Sequence, residues 1–426
     1  MMNDIDENRE EEEISDNLLQ EVKKIRKNEA ESVERQVAPV ERLRWSNYME
    51  YFLSIIGFVI DLGNVWRFPT VCYQNGGGAF LIPYLVCLFF IGMPTMYLEL
   101  AIGQWFQSGN ISLWGKINPY FKGLGFSVLI VNAYILSYYN TLQGYALYYL
   151  SYSFQSPVPW SSCERHWNTK HCINSYLKNA SLTLNDTTGN AGLHSSSTSE
   201  FFNRKVLGKY RSHGFDNLEG VNWSLFLCVS VIFLLTTACL VNGIKSSGKA
   251  IYVTALLPYA CLVVLIIQSL LLDGSFDGLK YYLTPKFDKL FDFQVWQAAA
   301  IQIFFSLGPG FGVLIAYASY TPKETNIQTL TILCSTVNCV TSLLYGIVVF
   351  AGIGYMAKRL SVSIDYFLED GIALVFIIYP EIIATFKYAS AFSIIFFIML
   401  ISLGMDSTFG KNSLLFFFCC CLISNQ

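Results

Sequence analysis

Asp61 is the residue in this sequence best placed to do chemistry, because it lies where a charge is least tolerated, mid-way along the apolar run SIIGFVIDLGNVWRFP. A carboxylate in hydrocarbon is costly unless it faces a cavity or a partner. An acid at that depth therefore marks a candidate binding site, here for a positively charged substrate. The competing reading is a structural acid paired with a neighbouring helix. Asp406 stands in a second apolar run, followed by Ser407 and Thr408. Polar residues interrupt two further runs, with Tyr138, Tyr139 and Asn140 in one and Asn338, Thr341 and Ser342 in the other. Carboxylates, amides, hydroxyls and freed carbonyls are the oxygen ligands a hard cation such as sodium takes. Any one of these positions, taken singly, is equally compatible with a hydrogen-bonded packing residue. No nucleophile–base pair, phosphate loop or metal-type Cys/His spacing stands out, so an enzyme is not expected.

Such residues need apolar elements to hold them. Eight apolar runs follow one another near 48–73, 77–104, 121–152, 222–243, 249–272, 295–319, 329–357 and 391–418, and about 20 apolar residues are enough to cross a bilayer. The first run is a poor continuous helix, with Gly57, Gly63 and Asn64 around Asp61. The sixth contains Ser306-Leu-Gly-Pro-Gly310, where Pro309 removes a donor and the glycines loosen the backbone. Irregular backbone at membrane depth is tolerated where it lines a cavity. Two interrupted spans, five helices apart, point to an all-α multi-pass transporter of two inverted five-helix repeats, with substrate and ions at the breaks.

Composition agrees. Of 426 residues, 53% are hydrophobic and 14% charged, against about 25% charged in a soluble domain. The net charge of -3 and the lack of a basic stripe give no expectation of a nucleic-acid partner; membrane lipid is the expected surrounding. Residues 1–40 are polar and charged, read as a disordered cytosolic tail. A transporter domain is expected over 41–410, with a long polar loop at 153–220 and an atypical hydrophobic tail at 411–426. The loop holds Cys163, Cys172 and the sequons Asn179-Ala-Ser181 and Asn185-Asp-Thr187. It is expected to be extracellular, disulfide-bridged and glycosylated. The cysteines in apolar runs read as small packing residues. With that loop outside, the N-terminus is cytoplasmic, and the inner loops carry Lys116, Lys122, Lys245, Lys249 and Lys323, with Arg42 and Arg44 before the first span. The segment 361–390, with Asp365, Glu369, Asp370 and Glu381, comes out extracellular on the same count.

At these residues the sequence resembles the sodium- and chloride-coupled neurotransmitter transporters of the plasma membrane. DLGNVWRFPTVCYQNGGGAFLIPY is similar to that family's signature, and QIFFSLGPGFGVLIAYASY and ISLGMDSTFG to its sixth and eighth helices. Within the family the resemblance is strongest to the serotonin carriers. It implies a leucine-transporter-type inverted-repeat fold, unwound mid-membrane in helices one and six, and symport of a monoamine, serotonin first, with a dopamine- or octopamine-type carrier as the alternative. The implied amine site is Asp61 with walls of Phe58, Ile135, Tyr139, Phe305, Phe311 and Ser407. The implied sodium sites are two: Asn64, Ser306, Asn338 and the Val59 carbonyl, then Asp406, Ser407 and the carbonyls of Gly57, Ile60 and Leu403. Chloride would lie among Tyr84, Gln302, Ser306, Asn338 and Ser342. Arg67, with Tyr139, resembles an outer gate, and Arg42 and Trp45 an inner one. Glu99 resembles a buried structural acid. Phe58 stands where many serotonin carriers have tyrosine, which removes a hydroxyl.

After Gly410 the resemblance fails, and KNSLLFFFCCCLISNQ replaces the expected continuation. The expectation is a fold with about eight of twelve helices that does not transport alone. It would be a non-transporting form able to modulate a full-length carrier by oligomerising with it, or the product of a misread gene end.

Overall fold

The computed structural model describes residues 44–173, 195–211, 214, 220–241, 243–364 and 371–424, without the side chains of 245 and 415–424. The expectations for residues 1–40, Arg42, Asn179, Asn185, Asp365, Glu369 and Asp370 lie outside the described residues.

The described body is helical, and each apolar run forms the helix its length allows. Among the described residues, six helices are long and apolar enough to span a membrane unaided: Gly78–Phe106, Pro119–Ser153, Trp223–Leu240, Ser246–Leu270, Ile327–Leu360 and Ala389–Leu414. The other two spans are interrupted. The first consists of Tyr48–Val59, Leu62–Val65 and Arg67–Gln74, and the sixth of Phe293–Leu307 and Val313–Ala318.

The ends follow from local chemistry. Asn47, Asn222, Asp292 and Asn326 each cap a helix by accepting a backbone N–H within its first turn. Ser361, in the left-handed region at φ 54°, closes the seventh span after Lys358 and Arg359. The fourth span, with only 17% of its apolar window buried, faces outward, whereas the seventh, at 56%, is a central strut. The eighth helix passes Gly410 without interruption and runs from Ala389 to Ser424.

Among the described elements outside the eight runs are three helices. Asn110–Ile117 forms a short helix after the second span, Ser275–Leu283 another before the sixth, and Gly371–Ala384 an apolar helix between the seventh and eighth spans. The last buries Val375 to Ala384 despite its acidic surroundings in sequence. It docks on the long loop, where Trp160 Nε1 donates to the Pro380 carbonyl at 3.1 Å and Ser196 Oγ to Glu381 at 3.3 Å. The strands are a two-residue parallel pair, Cys172–Ile173 with Ser195–Ser196, inside that loop.

Candidate functional site

The two breaks form the frame of the site. In the first span the helix stops at Val59 and restarts at Leu62, with Asp61 as the N-cap of the restart. Asp61 Oδ1 accepts from the Gly63 N–H at 2.8 Å, while Asn64 Oδ1 accepts from the Asp61 N–H at 2.9 Å, a reciprocal capping box. The short break is therefore satisfied by its own side chains. Asp61 caps its own half-helix with one oxygen.

The sixth span breaks over five residues. Gly308, Gly310 and Gly312 take positive φ of 71°, 86° and 69°, a region where any side chain is strained. The freed backbone groups are met from elsewhere. Glu99 Oε1 accepts the Gly310 N–H at 2.6 Å, Asn132 Nδ2 donates to the Phe311 carbonyl at 2.8 Å and Asn110 Nδ2 to the Gly312 carbonyl at 3.0 Å. Glu99 thus holds the backbone of the sixth break.

The proposed amine walls gather on these breaks. A Cβ on Gly308 would lie 2.7 Å from Phe58 Cε1 and 3.4 Å from Phe311 Cδ2, so both rings close on that glycine. Tyr139 is buried and its hydroxyl accepts from the Leu62 N–H at 3.4 Å. Ile135 is half-buried one turn earlier on the same helix, packed against the core. Ser407 Oγ donates to the Phe58 carbonyl at 3.4 Å, tying the eighth span to the first. Phe305 stands apart. It is 49% exposed, makes an edge contact with Phe311 at 6.3 Å between centroids, and carries the Arg67 guanidinium 4.0 Å above its ring. Trp45, the described residue of the expected inner gate, donates Nε1–H to the Tyr317 carbonyl at 3.0 Å.

Four of the five residues of the second sodium set line one small cavity: Gly57, Ile60, Leu403 and Asp406. Asp406 is buried beside Thr254, and its Oδ1 has no hydrogen-bond partner among the described residues. A buried carboxylate oxygen without a donor fits a cation. Gly57 is obligatory at this approach, since a Cβ there would lie 2.7 Å from Asp406 Oδ2. The first sodium set and the chloride set share one buried chain. Asn64 Nδ2 donates to Asn338 Oδ1 at 2.7 Å and to Ser342 Oγ at 2.8 Å, and Asn338 Nδ2 donates to Ser306 Oγ at 2.7 Å. Tyr84 Oη sits beside Ser342 without a full hydrogen bond, and Gln302 Oε1 is buried without a partner.

One residue of the pocket was missed from the sequence. Lys411 is 4% exposed, and its Nζ lies 4.5 Å from the Tyr139 ring centroid and 5.7 Å from that of Phe311. It looked like the first residue of an off-pattern tail. The signal was its place one turn after Ser407, because helical side chains lean back toward the N-terminus and so reach over the preceding turn.

Outside the membrane spans, Cys163 and Cys172 form a disulfide, with Cα atoms 5.8 Å apart. Glu200 anchors the same loop. It accepts from Asn168 Nδ2 at 3.1 Å, from the Thr169 N–H at 2.8 Å, from the Thr169 hydroxyl and from Ser195 Oγ at 2.8 Å. Burial pushes its carboxyl up, but the donors outweigh that and hold it below the usual carboxylate range.

The chain is similar in sequence to known proteins. Over 376 residues the chain is 47% identical to the sodium-dependent serotonin transporter of Drosophila melanogaster, covering 88% of this chain and 59% of that protein. Over 370 residues it is 41% identical to the sodium-dependent dopamine transporter of Bos taurus, covering 87% of this chain and 52% of that protein. The chain thus spans between half and three-fifths of the length of these relatives. The model of the sodium:neurotransmitter symporter family matches residues 42–416. With two broken spans, the acid in the first and the polar chain between the first, sixth and seventh, this chain belongs to the sodium:neurotransmitter symporter family.

Proposed function

We propose that the chain carries the binding site of a sodium- and chloride-coupled monoamine symporter of the plasma membrane, with its N-terminus in the cytoplasm and serotonin as the first-choice substrate. The observation that carries this reading is Asp61 at the break of the first span, beside the rings of Tyr139, Phe58 and Phe311. With Oδ1 engaged by the Gly63 N–H, the other carboxylate oxygen is the one to receive a substrate ammonium. The aromatic faces take the cation and the flat ring system of an aromatic amine. Ile135 and Phe305 complete the walls, and Arg67 covers the outer side.

The ions enter through the same elements. A sodium ion in the Asp406 cavity joins the first span, through the Gly57 and Ile60 carbonyls, to the eighth, through Leu403, Asp406 and Ser407. The other sodium takes Asn64, Ser306, Asn338 and the Val59 carbonyl. Each amide oxygen there has accepted one hydrogen bond and keeps a second lone pair. Because Asn64 Oδ1 also holds the Asp61 backbone, ion and amine occupancy are linked through one side chain. Chloride suits a cage of uncharged donors from Tyr84, Gln302, Ser306, Asn338 and Ser342; turning the Gln302 amide presents its N–H group there.

A dopamine-type carrier is the second reading, favoured by the dopamine transporter relative and by Phe58, which offers a wall without a hydroxyl. The test is equilibrium binding of labelled serotonin, with dopamine and octopamine as competitors, to the full chain in membranes with sodium or with choline. Sodium-dependent serotonin binding, lost by about 100-fold in Asp61→Asn, is expected. Stronger competition by dopamine moves the substrate to the second reading. Equal binding by Asp61→Asn contradicts the amine site.

A further inference from the structure

The pocket contains a cation of its own. Lys411 is buried, and a buried ammonium is expensive unless charge or aromatic faces compensate it. It has both kinds of compensation. Its Nζ stands within cation–π range of Tyr139 and Phe311, and Asp61 is the charged group whose field acts on it. Tyr139, beneath that ammonium, also accepts from the N–H of Leu62, the residue after Asp61. Arg67 lies over the Phe305 ring, whereas Lys411 lies against Tyr139 and Phe311.

The surroundings fix it there. The eighth helix is continuous through Ser407 and Lys411, and the two residues are one turn apart on the same face. Ser407 is tied to the Phe58 carbonyl, which sets the rotation of the helix. Gly410 lies tightly against Tyr317 of the sixth span, where a Cβ would come 3.1 Å from the tyrosine hydroxyl. From that position the stem of Lys411 runs back to the rings of Tyr139 and Phe311.

We infer that Lys411 is a tethered occupant of the amine subsite: its ammonium takes the aromatic faces and the acidic field that a free monoamine needs, so this chain binds such amines only in competition with its own lysine. The inference rests on the amine reading of Asp61 given above. It predicts a site that is intact in its walls and ion ligands yet weak for simple amines, and that strengthens when one side chain loses its charge.

Two measurements on the full chain in membranes decide it. The first is labelled-serotonin binding in sodium by the parent, Lys411→Met, Lys411→Arg and the Lys411→Met/Asp61→Asn double variant. Lys411→Met is expected to bind about tenfold tighter than the parent, Lys411→Arg to stay as weak as the parent, and the double variant to lose the gain. Lys411→Gln makes the same comparison if the methionine variant does not fold. The second is thermal unfolding of the four-cornered cycle of Lys411→Met and Asp61→Asn. Asparagine keeps the cap, so Asp61→Asn should lower the midpoint by several degrees where it strands the ammonium and by little where Lys411 is gone. Equal serotonin binding by parent and Lys411→Met, or equal cost of Asp61→Asn in both backgrounds, overturns the inference. Coupling in the cycle with no amine bound by any folded variant supports the tethered occupant and sinks the monoamine reading instead.

Discussion

The two broken spans solve the same problem in opposite ways. The first is interrupted over two residues and repairs itself, with Asp61 and Asn64 capping each other's backbone within one turn. The sixth is interrupted over five, and its freed groups are met by Glu99, Asn110 and Asn132 from other elements. A break capped chiefly from within depends less on its neighbours, of which Tyr139 supplies one bond at the Leu62 N–H, and that suits the residue proposed to receive the substrate. A remotely satisfied break is correct only while its neighbours hold station, which suits a segment that changes register when spans rock past one another.

That contrast can be broken by substitution. The largest expected effect is on ligand: Asp61→Asn removes charge but not the cap, so amine binding falls by about 100-fold with the Leu62–Val65 turn intact. Asp61→Ala adds the loss of the cap, about 1 kcal/mol of stability by chemical denaturation, and separates the two roles. Next are the remote supports. Glu99→Ala leaves the Gly310 N–H unmet, and Gly308→Ala forces a Cβ at φ 71° against Phe58. Each should cost about 1–3 kcal/mol in thermal or denaturant unfolding, and hydrogen exchange should rise across 308–312 but not across 60–64. Gly57→Ala comes third. Its Cβ displaces Asp406, and the sodium concentration for half-maximal binding should rise about tenfold with folding preserved.

The smallest effect lies in the outer loop. Because Glu200 is held below the ordinary carboxylate range, its stabilising bonds are complete above the unfolded value of about 4.3 and are lost as pH falls through the folded value. Hydrogen exchange across 168–200 should therefore rise only at acid pH, and Glu200→Gln should flatten that dependence at a cost of about 1 kcal/mol.

Much of this was legible in the sequence because it violates expectation locally. A carboxylate in an apolar run, as at Asp61 or Asp406, and a Gly-Pro-Gly tripeptide inside a span contradict the elements that contain them, and such contradictions mark sites. What closes the sixth break was not legible, because Asn110 and Gly312 lie 202 residues apart and no local pattern pairs them. Glu200 was missed for the same reason. The helix Gly371–Ala384 was hidden because its apolar stretch is too short for a span and stands among acids. Lys411 was hidden by its neighbours: KNSLLFFFCCCLISNQ reads as off-pattern, yet the family match runs to residue 416, and the helix continues through Lys411 and carries its side chain back into the pocket.

The most direct test of the central claim is serotonin binding by Asp61→Asn in the Lys411→Met background, where no buried ammonium is stranded and the cap is kept. The account predicts a folded protein with the sodium-dependent binding of Lys411→Met lost by about 100-fold. A folded Asp61→Asn variant that binds serotonin as Lys411→Met does would contradict it.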